Sequence, residues 1–203
     1  MKRRSGFGYS TDPSTGDPLY IYKPSLAGAP LQFRLSADAL EWSAGRYSGR
    51  VAYDRIRRVR VSFRPAALQN VRFITEIWPA GAPKLVIASS SWRGVTDQER
   101  LDQDYATFVG ELHRRLAVAG GSARYECGAP ALLYWPGLAM FVASALAMAG
   151  LAVEGLRAVS IPGTLFVIAF LSLFLWQMGR FFRRNRPGTY RPDAPPAELL
   201  PTA

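Results

Sequence analysis

Two long stretches near the C-terminal end limit what this chain can become. Residues 131–153 (ALLYWPGLAMFVASALAMAGLAV) run for 23 positions without an Asp, Glu, Lys or Arg, and residues 159–179 (VSIPGTLFVIAFLSLFLWQMG) run for 21. A helix rises 1.5 Å per residue, so roughly 20 apolar residues cross about 30 Å of hydrocarbon. Loop is no alternative inside lipid, where each bare backbone amide costs several kcal/mol. A soluble chain of 203 residues is too short to wrap two such helices. The expectation is a transmembrane helical hairpin over 131–182, built from helices 131–153 and 159–182.

Arginines orient the hairpin. Arg180, Arg183, Arg184, Arg186 and Arg191 follow the second run, and Arg114, Arg115 and Arg124 precede the first. The connecting turn, Glu154 to Ala158, holds only Arg157 and is neutral. Basic residues stay on the cytoplasmic side, so both ends of the chain are expected there. Tyr134 and Trp135 at the start of the first helix, and Trp176, Phe181 and Phe182 at the end of the second, mark the same interface. Arg180, Arg183, Arg184 and Arg186 are thus read as topology and lipid-headgroup residues. Pro136 and Pro162 fall near the helix starts, where a missing N–H costs little. Neither apolar run, 131–153 or 159–179, carries an acidic, basic or histidine residue, which argues against an ion path. Ala139, Ala143 and Ala147 recur every four residues and form a smooth stripe. The stripe suits packing inside the hairpin or contact with a second copy.

The rest of the chain reads differently. Residues 1–130 hold 19 of the 25 Lys and Arg and 12 of the 15 acids, an excess of seven positive charges. Met1-Lys2-Arg3-Arg4 is not followed by an apolar segment, so no secretory signal is expected. Residues 1–30 are rich in Gly, Pro and Ser, with Tyr20-Ile21-Tyr22 the one strand-like run, and read as an irregular arm. From Leu31 apolar residues alternate: Leu31, Phe33, Leu35; Leu40, Trp42; Val59, Val61, Phe63; then Phe73 to Trp78 and Leu85 to Ala88. Six or seven short strands separated by turns indicate an antiparallel bent sheet or small barrel. The period then lengthens. Leu101, Tyr105, Phe108, Leu112 and Leu116 lie on one helical stripe, with Asp97, Glu99, Asp102 and Asp104 crowding its start and Gly120-Gly121 ending it. The fold class is therefore α+β: a domain over 31–120, a juxtamembrane linker over 121–130, the hairpin, and a basic, Pro-rich cytoplasmic tail over 183–203.

The runs Phe33-Arg34-Leu35-Ser36, Leu40-Glu41-Trp42 and Val51-Ala52-Tyr53-Asp54-Arg55-Ile56, leading into the Arg57–Phe63 strand, resemble the bacterial PH-like domains of membrane proteins. The resemblance covers about residues 31–118. It implies a bent antiparallel sheet or barrel with a C-terminal capping helix, and no catalytic residue to carry over.

Motifs for chemistry are missing from the sequence. The nearest approach to a nucleophile elbow, Gly45-Arg46-Tyr47-Ser48-Gly49, has its serine in the wrong place, and no phosphate loop or dinucleotide fingerprint occurs. One Cys and one His within a chain allow neither a disulfide nor a zinc site of the usual ligand set. Cys127 reads as a packed thiol and His113 as a solvated or half-buried side chain. The expectation is a non-enzymatic protein without a cofactor. Arg58, Arg60 and Arg64 alternate with the apolar positions of their strand, and Arg72 adds to that face. This face suits ordinary solvation, anionic lipid headgroups or an acidic protein partner. Nucleic acid is not expected, because the aromatics lie on the buried alternation. The combined reading is an accessory or scaffold protein of the bacterial inner membrane. Its alternatives are a small subunit of a larger membrane complex or transporter and, less favoured, a lipid-modifying enzyme.

Overall fold

The computed structural model describes residues 6–67, 70–94, 97–157, 161–196 and 200–201, with backbone alone for 65–67, 70 and 71. The expected basic start, Met1 to Arg4, lies outside these residues, as do Ala158 and Val159. The protein is α+β and divides into two compact units. One joins Met1–Cys127 to Gly188–Ala203, and the other is Gly128–Pro187.

The first unit is built on two five-stranded sheets. Strands β1 (Gly8–Thr11), β2 (Pro18–Tyr22), β3 (Leu31–Leu35), β4 (Ala39–Ala44) and β5 (Tyr47–Ala52) follow one another as an antiparallel meander. A 3-10 turn, Tyr53–Arg55, leads into β6 (Ile56–Ala67), which pairs with β7 (Asn70–Pro79), and β7 pairs with β8 (Leu85–Ala88). Two short strands, β9 (Ser90–Trp92) and β10 (Gln98–Arg100), form a separate ladder before helix α1 (Asp102–Ala119). Glu99 therefore belongs to a strand, not to the start of the helix. Gly120 ends α1 in the left-handed conformation, at φ +62°, which glycine adopts without strain.

Both sheets and α1 feed one core. Val59, Val61, Ile77, Ile87, Tyr105, Phe108 and Leu112 are all shut off from solvent within it. The described part of the expected irregular arm, residues 6–30, instead holds the strands β1 and β2. Tyr20 and Tyr22 of β2 are at most 1% exposed. Their hydroxyls donate to the carbonyls of Ala88 (2.8 Å) and Val86 (2.6 Å) on β8. Strand β8 is the last of its sheet, so these bonds satisfy acceptors at an edge that has no further strand. Each contributes about 1 kcal/mol net, and more would be lost if the carbonyl were left buried and bare. Trp92 N–H donates to the Lys23 carbonyl at 3.0 Å, and Lys23 N–H donates to Ser91 Oγ at 2.9 Å, joining the end of β2 to β9.

The expected linker and tail each contribute a strand. Strand β11 (Arg124–Cys127) lies parallel to β6, and β12 (Gly188–Thr189) lies antiparallel to β11. The segment that follows the second long helix thus returns to the β-rich unit. Tyr190, just beyond β12, packs its ring against Tyr125 and His113 at centroid distances of 5.7 and 5.6 Å. His113 is 1% exposed, not solvated. Its Nδ1 lies 2.7 Å from the Val109 carbonyl and its Nε2 lies 2.7 Å from the Tyr190 hydroxyl. The carbonyl can only accept, so Nδ1 carries the proton and Nε2 accepts from Tyr190.

The second unit is an antiparallel pair of helices, α2 (Ala131–Arg157) and α3 (Ile161–Arg184). Both are long and apolar enough to cross a membrane, and only 6% of each one's most apolar window is buried. Glu154 and Arg157, expected in the turn, are still helical and pair at 2.7 Å. The helices meet through Phe141, whose ring lies 5.1 Å from that of Phe174 and 5.2 Å from that of Phe182, and through Tyr134, whose hydroxyl donates to the Phe182 carbonyl at 3.3 Å. Ala139, Ala143 and Ala147 are exposed. The stripe does not pack α3, because the bulky Phe141 face takes that place. At the base of the pair, Ala129 N–H donates to the Asn185 carbonyl at 2.9 Å.

Burial holds the His113 pKa below its usual 6.5, against the pull of the Val109 hydrogen bond. A histidine kept neutral by the fold stabilises it fully above 6.5, and that contribution is lost as pH falls toward the lowered value. Amide exchange at residues 124–127 and 188–190, corrected for intrinsic rates, should therefore accelerate between pH 7.5 and 5. In His113→Gln protection should be weaker throughout and should lose this pH dependence.

Candidate functional site, a basic and aromatic face

The alternation of β6 sends Val59, Val61 and Phe63 into the core, and the register with β7 defines what shares the opposite side. Arg58 stands opposite Trp78, Arg60 opposite Glu76, Ser62 opposite Ile74 and Arg64 opposite Arg72. A register shift between Ile56 and Arg58 leaves Arg57 outside this pattern as an exposed bulge residue. Strand β11 extends the rows on the other side, with Arg124 beside Arg58 and Glu126 beside Arg60.

Trp78 is the centre of the upper row. The Arg58 guanidinium lies 3.8 Å from its ring centroid, Lys84 Nζ 5.1 Å and the Arg60 guanidinium 5.5 Å. Cations are drawn to the electron-rich face of an indole, and such contacts contribute about 0.5–2 kcal/mol. Below it, Glu76 is 4% exposed and accepts from Lys84 at 2.5 Å and from Arg64 at 3.4 Å. Arg60 pairs with Glu126 through both Nε (3.1 Å) and Nη2. Arg60 is consequently occupied within the protein and is mostly buried, while Arg64 and Lys84 keep 51% and 43% of their side-chain surface open.

The face is not a plain solvated strand surface. Six cations (Arg58, Arg60, Arg64, Arg72, Lys84, Arg124) stand against two carboxylates (Glu76, Glu126), an excess of four positive charges. Arg64 directly opposite Arg72 is a like-charge pair, which a strand ladder ordinarily penalises. Ser62, Ile74 and Ala88, in the row between, are each at most 5% exposed. Two polar atoms on this face, Ser62 Oγ and Arg72 Nε, are buried and have no hydrogen-bond partner among the described residues. Each is a donor without an acceptor, a condition that costs about 1–3 kcal/mol. The face therefore holds surplus positive charge, which is the complement of an anion carrying several acceptor oxygens.

The sequence-level candidates Arg58, Arg60, Arg64 and Arg72 thus share one face. Trp78, Lys84, Glu76 and Glu126 complete it. In the sequence Trp78 is only the end of an apolar run, and Glu126 falls in the expected linker. The other chemistry-bearing groups stand apart. His113 is spent on Val109 and Tyr190. Asp102 pairs with Arg100. Burial raises the Cys127 thiol above its ordinary value, which disfavours the reactive thiolate. Among the described residues no three His, Cys, Asp or Glu side chains gather as metal ligands. A second depression, on the outside of the first sheet, is lined by Asp12, Arg34, Glu41 and Arg50. Its charges are already paired with one another.

Glu126→Gln should leave Arg60 partly buried without its carboxylate and destabilise the β-rich unit by about 1–3 kcal/mol. The loss should appear as faster amide exchange in β6 and β11. The double variant Arg60→Gln, Glu126→Gln should recover part of it.

No protein-family model matches this chain, and no curated protein or solved structure matches it either.

Proposed function

We propose that this chain is a non-enzymatic accessory or scaffold protein of the bacterial inner membrane. In this reading α2 and α3 cross the bilayer as a hairpin, both chain ends are cytoplasmic, and the β-rich unit is a PH-like domain. Its basic and aromatic face contacts the anionic membrane surface. One observation carries the reading: on one face of β6, β7 and β11 six cations stand against two carboxylates, and three of those cations lie over the Trp78 ring. A basic residue near an anionic leaflet contributes about 1 kcal/mol. Arg58, Arg64, Arg72, Lys84 and Arg124 would together suffice to hold a tethered domain against the lipid, where no translational entropy remains to be lost.

The lengths of the helices support the spanning role. At 1.5 Å per residue α2 is about 40 Å long and α3 about 36 Å, enough for a hydrocarbon layer of about 30 Å. The PH-like assignment rests on the sequence resemblance together with a largely antiparallel β unit in which α1 packs on the shared core.

A second reading, a subunit of a larger membrane complex, draws on the exposure of Ala139, Ala143 and Ala147. Small side chains on the outer face of α2 allow close approach of another helix.

The full chain in lipid nanodiscs tests the first reading. Hydrogen exchange in β6, β7 and β11 should be slower in discs containing phosphatidylglycerol than in phosphatidylcholine discs, and 0.5 M salt should erase the difference. Arg58→Gln with Lys84→Gln should reduce it, and equal exchange in both lipids would refute the contact. For the second reading, a discrete large species on native electrophoresis of a mild-detergent extract should disappear in Ala143→Ile.

A further inference from the structure

The last two turns of α3 carry a feature that membrane topology alone does not require. Leu175, Trp176, Gly179, Arg180 and Arg183 line an open depression of about 640 Å³ on one side of the helix. Trp176, Arg180 and Arg183 are spaced i, i+4 and i+7, so they lie along one face. The Arg180 guanidinium sits 5.1 Å from the Trp176 ring centroid, and Trp176 is 61% exposed. Gly179 forms the floor: a Cβ added there would meet no heavy atom within 4 Å. Toward the helix middle the same face continues with Leu165, Ala169 and Ser172, all exposed. The Ser172 hydroxyl is turned back on the Ile168 carbonyl at 2.8 Å, so it presents little polarity.

We propose that this face of α3 binds the phosphodiester of an anionic glycerophospholipid. Arg180 and Arg183 hold the phosphate, Gly179 makes room for it, Trp176 covers its glycerol side, and an acyl chain lies along Leu165, Ala169 and Ser172. The inference rests on α3 spanning the bilayer. It is independent of the basic face on the β-rich unit, which shares no residue with it.

Depth, charge and shape agree. From Ile161 to Arg180 is nineteen residues, about 29 Å of helix, close to the roughly 30 Å thickness of the hydrocarbon layer. If Ile161 stands at one boundary, Arg180 and Arg183 reach the phosphate level of the other leaflet, and Trp176 sits one turn deeper, where indole rings prefer to lie. Guanidinium groups recognise phosphate oxygens through paired N–H donors, a geometry an ammonium does not offer. Neither Arg180 nor Arg183 is engaged by a carboxylate among the described residues. Phosphatidylcholine offers the same phosphate but adds a quaternary ammonium that two arginines repel, so the site favours lipids with a net negative headgroup. A purely topological role would need the charges alone and would not depend on the notch at Gly179.

Native mass spectrometry of the full chain, purified in mild detergent after equilibration with equal phosphatidylglycerol and phosphatidylcholine, reads the site directly. The parent should retain phosphatidylglycerol at least tenfold in excess. Gly179→Leu, which fills the notch without changing charge, and Arg180→Gln should each abolish that preference. Arg157→Gln, an equal loss of charge at the end of α2, should leave it intact. Equal retention of both lipids by the parent, full preference in Gly179→Leu, or the same loss in Arg157→Gln would overturn the proposal. Alkaline carbonate extraction of native membranes separates this from the spanning role. A parent released by carbonate defeats the membrane reading, whereas a parent that stays in the pellet without lipid preference defeats the site alone.

Discussion

The parallel pairing of β11 with β6 is the contact on which the β-rich unit depends. Four residues, Arg124 to Cys127, run alongside Arg58 to Val61. They bring Tyr125 against the core and Glu126 against Arg60. They also give β12 its partner, so the chain leaves the unit at Cys127 and returns at Gly188 through neighbouring strands. Parallel pairing requires a long crossover, and here the crossover contains α1. Without this pairing, Tyr190 would have no strand to position it and His113 would keep an unsatisfied ring nitrogen.

Polar groups in the core follow one rule: each hydroxyl that enters finds a fixed acceptor or partner. Tyr20 and Tyr22 reach the carbonyls of β8, Tyr53 reaches the Ser36 carbonyl, and Tyr105 meets Thr75 Oγ1 at 2.6 Å. Arg115 extends this to the edge of the unit, donating to the carbonyls of Leu35 and Ser36 while Glu111 balances its charge. These bonds fix where the strands and α1 stand relative to one another, which apolar packing alone specifies less sharply. Four buried atoms depart from the rule: Ser62 Oγ and Arg72 Nε on the face where cations exceed carboxylates, Trp42 Nε1 on β4 and Asp102 Oδ1 at the start of α1.

Much of the architecture was legible because it is periodic. The alternation of Val59, Val61 and Phe63 and the helical spacing of Tyr105, Phe108, Leu112 and Leu116 place these residues in the core, where the structure also has them. The two apolar runs became the two long helices. What failed to show were elements too short to establish a period. β1 is four residues of Gly, Tyr, Ser and Thr, and β12 is only Gly188 and Thr189. Their strand character comes from the neighbour they pair with, not from their own composition. Glu126 was invisible as a partner of Arg60 for the same reason, since 66 residues separate them.

By itself the sequence determined the apolar length of α2 and α3, the excess of positive charge in residues 1–130 and the alternation that turns Arg58, Arg60 and Arg64 away from the core. Those properties are local: composition sets hydrophobic length, and the pleat sets which side a residue faces. Only the tertiary structure decided which cations remain available, how Trp78 came to be ringed by them, and which face of α2 was left open. Each of these depends on residues far apart in the chain meeting in space. Arg60 was taken up by Glu126, Lys84 was brought to Trp78 and Glu76, and the Phe141 face of α2 rather than its alanine stripe was chosen by α3.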